Sequence, residues 1–158
     1  MKLTNATLSG NDAGPRGGGL HNLLGSATLT NVTITANSSG LAGGGISNSG
    51  GTTRLENTLV ANASLPAGQD CFGAITSAGG NLDSGTSCGF STLTGISNTN
   101  PLLGLLTDNG GRTPTHALFA GSPAIDAAQQ SACPATDQRL VPRPQGSGCD
   151  IGAYELLR

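Results

Sequence analysis

The sequence predicts an all-β chain wound into a short parallel β-helix, a solenoid of 26-residue coils with an irregular carboxy-terminal cap. Three observations predict it. The 158 residues include 26 Gly, and because each interior Gly costs a helix about 1 kcal/mol relative to Ala, helical bundles and coiled coils are excluded. Short stretches alternate Thr with aliphatic residues, the period of a half-buried strand. Those stretches return at a constant interval of 26 positions.

The first unit, Leu3-Thr4-Asn5-Ala6-Thr7-Leu8, returns as Leu29-Thr30-Asn31-Val32-Thr33-Ile34 and more loosely as Leu55-Glu56-Asn57-Thr58-Leu59-Val60. Each unit reads as two short strands joined by a bend at Asn, a residue that tolerates the left-handed conformation a bend needs. Gly17-Gly18-Gly19-Leu20-His21-Asn22 then returns as Gly43-Gly44-Gly45-Ile46-Ser47-Asn48, and the same interval places Phe72 over Leu20 and Ile46. Asn11 and Asn37 keep the spacing too. With one coil per repeat, equivalent residues stack about 4.8 Å apart. Asn5, Asn31 and Asn57 then form one amide ladder and Asn22 with Asn48 a second. Leu3, Leu29 and Leu55, and likewise Leu8, Ile34 and Val60, form apolar stacks inside the coil. A sandwich would need hairpin signals, and no Asn-Gly dipeptide occurs before Asn109-Gly110. Residues 1–90 are therefore expected to make about three to four coils with the amino-terminal cap missing. Residues 91–158 would add a last coil and the cap in the same structural domain, covering the exposed strand edges.

Composition removes several classes of function. Leu, Ile, Val and Phe make up only about a fifth of the chain, but the formal charge of −2 lacks the excess that accompanies disorder. Seven basic residues against nine acidic ones give no field for nucleic acid or an anionic membrane. Three Phe, one Tyr and no Trp leave little for a stacking platform. No apolar run is long enough for membrane insertion. Cys71, Cys88, Cys133 and Cys149 contain no CxxC pair. Of three possible connectivities, the local pairs Cys71 with Cys88 and Cys133 with Cys149 are favoured, each closing a loop inside one segment, and they point to an oxidising compartment.

The later text changes character. Asp108-Asn109-Gly110-Gly111-Arg112-Thr113-Pro114-Thr115-His116-Ala117-Leu118 is followed by Gly121-Ser122-Pro123-Ala124-Ile125-Asp126-Ala127, Thr136-Asp137-Gln138-Arg139 and Cys149-Asp150-Ile151-Gly152-Ala153-Tyr154-Glu155. This order of segments resembles the end of the choice-of-anchor Q family, bacterial surface proteins with right-handed parallel β-helix repeats. The resemblance covers nearly the whole chain. It implies a right-handed coil and an extracellular or cell-surface location, and it implies no reaction. Leu105 and Arg112 stand where the family pattern would have proline, and Leu140 stands where it would have glycine. Members are typically long, exported and anchored, so the chain is expected to be the end of a larger protein or a truncated relative.

Candidate chemistry concentrates in the cap. Asp126, Asp137, Asp150 and Glu155 share it with Arg139 and Arg143. Two carboxylates meeting in an open groove would suit acid and base roles in glycoside cleavage, whereas the same groups paired and hydrogen-bonded would hold the cap together. In the coils, Asp12, Glu56, Asp70 and Asp83 share no coil position, which argues against a catalytic groove there. Asp108-Asn109-Gly110-Gly111 offers far fewer oxygens than the about six to eight that calcium takes, and reads as a turn. His21 is expected on the surface and His116 bonded to backbone, with no Ser-His-Asp order recognisable. The expected function is a non-enzymatic structural or adhesive surface module with no catalytic residue, cofactor or metal. The alternatives are a polysaccharide-binding or polysaccharide-cleaving β-helix, in the latter case a lyase or glycoside hydrolase, and a self-assembling filament unit. Expected partners are surface glycans or further copies of the chain meeting the uncapped amino-terminal coil.

Overall fold

A computed structural model describes residues 1–62 and 69–158, so the stretch 63–68 of the third repeat lies outside the described residues. Among the described residues the chain is all-β, with mostly parallel pairing, no α-helix and a single 3-10 turn at Gln130–Ala132. It begins with β1 (Lys2–Ser9), β2 (Asp12–Ala13) and β3 (Leu20–Leu23). The same order of a long, a very short and a four-residue strand returns as β4 (Ser26–Thr35), β5 (Ser38–Ser39) and β6 (Ile46–Ser49). The third round splits at Asn57 into β7 (Thr52–Glu56) and β8 (Leu59–Ala61), followed by β9 (Cys71–Phe72). Shorter strands follow: β10 (Thr76–Ser77), β11 (Asn81–Asp83) and β12 (Gly95–Ile96), then an antiparallel pair of β13 (Leu103–Thr107) with β14 (Thr115–Leu118).

Register explains why the early rounds pair in parallel. Leu3 faces Leu29, which faces Leu55, and Leu8 faces Ile34, which faces Val60. Like side chains thus bury like, and Leu29, Ile34, Leu55 and Val60 are fully buried. Asn5, Asn31 and Asn57 have φ of 51°, 51° and 50°, the left-handed bend between the two halves of each unit. The glycine runs are sites of close approach. A Cβ on Gly45 would stand 2.7 Å from the Asp70 carbonyl oxygen and 2.8 Å from Val60 Cγ1, so the neighbouring strand admits only a hydrogen there.

After residue 61 the interval contracts. Ile46 faces Cys71, Arg54 faces Thr76, Leu59 faces Leu82 and Asn81 faces Gly95. The first of these corrects the expected place of Phe72, which faces Ser47 instead of Ile46. A one-residue slip exchanges the two faces of a strand. Cys71 therefore points into the core at 2 % exposure, while the Phe72 ring lies half-buried with the Arg16 guanidinium 4.9 Å from its centroid. The two disulfides are Cys71–Cys88 and Cys133–Cys149, with Cα separations of 4.8 and 6.3 Å.

Two apolar clusters result. Ala27, Leu29, Val32, Ile34, Ile46, Leu55, Val60, Cys71, Cys88 and Phe90 form the first. The second contains Leu59 and Leu82 with Leu118, Ala124, Ala128, Cys149 and Ile151 of the carboxy-terminal region. Residues 124–155 run as a strap beside β1, β4 and the β7–β8 pair. Strap atoms bond Asn57, Asn31 and Asn5 in turn: Gln129 N–H donates to Asn57 Oδ1 at 2.6 Å, Asn31 Nδ2 to Asp150 O at 3.2 Å, and Asn5 Nδ2 to Thr136 O at 2.6 Å.

Candidate functional site

Three carboxylates of the strap, Asp137, Asp150 and Glu155, are buried and saturated. Asp137 takes the Arg139 and Val141 N–H groups on Oδ1 at 2.7 and 3.0 Å, and Glu155 N–H on Oδ2 at 3.0 Å. Arg139 lies within 2.8 Å of the same Oδ2 and stacks its guanidinium 3.7 Å from the Tyr154 ring centroid. Arg143 Nη1 pairs with Glu155 Oε2 at 2.8 Å and also donates to Asp150 O, while Nη2 donates to Gly152 O. Glu155 further accepts from Gln145 and Asp150 N–H, and Asp150 from Asp126 and Leu156 N–H. Burial pushes the Asp150 and Glu155 carboxyls up and the Arg143 guanidinium down. Asp126 turns outward, meeting Arg158 at 2.6 Å. The structure thus joins Asp137, Arg139, Arg143, Asp150 and Glu155 in one network, but it presents no open pair of acids. Every carboxylate oxygen of Asp137, Asp150 and Glu155 accepts a hydrogen bond from within the chain.

The asparagine columns divide. Asn22 Nδ2 donates to Asn48 Oδ1 at 3.0 Å and Asn57 Nδ2 to Asn31 Oδ1 at 3.3 Å. Asn5 does not continue the second of these rows. Its amide goes to the strap, and its Oδ1 is buried without a partner among the described residues. A further row joins Asn11 Nδ2 to Asn37 Oδ1 at 2.8 Å and Asn37 N–H to Asn62 Oδ1 at 2.7 Å, a link that the shared spacing of Asn11 and Asn37 hinted at.

Two arrangements escape the sequence pattern. Asp70 and Asp83, both with no exposed surface, share the Gly85 N–H, which lies 3.0 Å from Asp70 Oδ2 and 2.9 Å from Asp83 Oδ1. Ser84 Oγ also donates to Asp70, the Asn62 N–H donates to its other oxygen, and Cys88 N–H donates to Asp83. Burial and the side-chain hydrogen bond with Asp70 push Asp83 up to about 7. The other arrangement is an open cleft of about 510 Å³ where the strap and the β13–β14 hairpin meet β1. Asn5, Ala6, Thr7, Ser9, Leu106, Thr113, Pro114 and Gln138 line it. Thr7 Oγ1 donates to Gln138 Oε1 at 2.7 Å across it, and Ser9 Oγ reaches His116 Nε2 at 2.9 Å beside it. His116 does bond backbone, as its sequence context predicts, and it also meets this hydroxyl. His21 is exposed, 3.4 Å from Ser49 Oγ, and Asp108 makes a turn by accepting Gly110 N–H. Among the described residues no group of three metal-ligating side chains occurs, and no helix is long and apolar enough to cross a membrane.

Comparison with known protein families, curated proteins and solved structures finds no match to the chain.

Proposed function

We propose that the chain is a short right-handed parallel β-helix acting as a structural or adhesive module at a bacterial cell surface, part of a larger exported protein of the choice-of-anchor Q kind. The parallel registers at 26-residue offsets support the coil. Two disulfides support an oxidising compartment. The observation that carries the structural reading over a polysaccharide-cleaving one is the state of the strap acids, which are buried and fully hydrogen-bonded where cleavage needs two of them facing a sugar. The test has two parts. Antibody raised against the chain should stain intact, unpermeabilised source cells, and staining only after permeabilisation would overturn the surface assignment. Incubation with neutral and acidic polysaccharides should release no reducing ends or unsaturated products; release of either would replace the structural reading.

A further inference from the structure

His116 sits where the β13–β14 hairpin meets the first round, with 7 % of its surface exposed. Its Nδ1 lies 2.7 Å from the Gly104 carbonyl oxygen. A carbonyl oxygen only accepts, so Nδ1 carries the ring proton and Nε2 presents its lone pair. That lone pair faces Ser9 Oγ at 2.9 Å, and the serine hydroxyl donates to it. A nucleophile bonded to a base, itself oriented by a third group, is the arrangement that activates a serine. Here a backbone carbonyl takes the orienting place. Ser9 lines the cleft of about 510 Å³, whose lining contains no charged side chain. Two lining residues keep a donor to spend. Asn5 Nδ2 uses one N–H on Thr136 O, and the Thr113 hydroxyl accepts from Gln138 Nε2 at 2.9 Å and retains its own proton.

We propose that Ser9 and His116 form an acyl-transfer site that hydrolyses uncharged esters in this cleft. Ser9 Oγ attacks the ester carbonyl carbon as its proton passes to His116 Nε2. The bond to the leaving alcohol then breaks, His116 returns the proton to the alcohol oxygen, and Ser9 is left acylated. Water attacks the acyl carbon and gives a proton to His116. The bond to Oγ breaks, the proton returns to Ser9, and a carboxylic acid leaves. This site is independent of the surface-module reading and stands wherever the chain is found.

The folded chain is to be treated with a fluorophosphonate and mapped by mass spectrometry, with p-nitrophenyl acetate hydrolysis followed in parallel. One adduct is expected, on Ser9 among 15 serines, and none after thermal unfolding. Ser9→Ala should lose both adduct and turnover. His116→Gln, whose amide still donates and accepts, should keep its melting temperature and slow labelling about 100-fold, the loss of a general base. Failure of the native chain to label overturns the proposal, as does Ser9 labelling at an unchanged rate in His116→Gln.

Discussion

Leu140 adopts φ of 73° with 65 % of its surface exposed. The left-handed conformation costs a residue with a Cβ about 1–2 kcal/mol. Glycine removes that cost but adds about 0.4–1 kcal/mol of unfolded-chain freedom. Leu140→Gly should therefore stabilise the protein by about 0.5–1 kcal/mol, read as a higher urea midpoint at unchanged slope. Leu140→Ala keeps the Cβ and should give no such gain. Asn5, Asn31 and Asn57 answer the same backbone demand differently. Their amides also serve as attachment points: Asn57 bonds both the N–H and the carbonyl of Gln129.

Among the elements, the strap depends most on single side chains. Arg143 ties Glu155, Asp150 and Gly152 together from a fully buried position. Arg143→Ala leaves the Glu155 carboxylate buried without its cation, and should cost about 3–5 kcal/mol, measured by chemical unfolding. A loss below about 1 kcal/mol would mean that the backbone donors to Glu155 suffice. The rounds through Ala61 are legible in the sequence because equivalent positions carry like side chains, so Leu29 announces Leu55. Phe72 misleads because the interval drops by one there, and apolar character alone does not report which face a residue takes. Asp70 and Asp83 look unrelated at a constant interval and meet only because later rounds are shorter. Nor is the course of the strap legible. It has no period, and its asparagine partners lie 72 to 131 positions upstream, from Asn57 with Gln129 to Asn5 with Thr136. Ser9 and His116, 107 positions apart, are hidden for the same reason.

At the scale of the molecule, the buried acid pair sets a pH dependence. Asp83 rises from 3.8 to about 7 on folding, so the folded state holds its proton more tightly than the unfolded chain does. Its stabilising contribution is complete below about pH 4 and is lost as pH rises through about 7. Burial raises Asp150 and Glu155 in the same direction. Melting temperature should thus fall between about pH 4 and about pH 7, and Asp83→Asn, neutral throughout, should flatten most of that slope. An unaltered slope in the variant would place the effect in the strap. The strap has a consequence of another kind. Stacked units that touch only their neighbours can peel away singly from an end. Here Thr136 and Gln138 grip Asn5 and Thr7, so β1 is latched by residues 131 positions further along the chain. A chain emerging amino-terminus first leaves β1 unlatched until those 131 further positions are free, and such distant contacts slow folding. Once the latch shuts, releasing β1 requires breaking its bonds to Thr136 and Gln138 as well, which couples the opening of two distant stretches of chain.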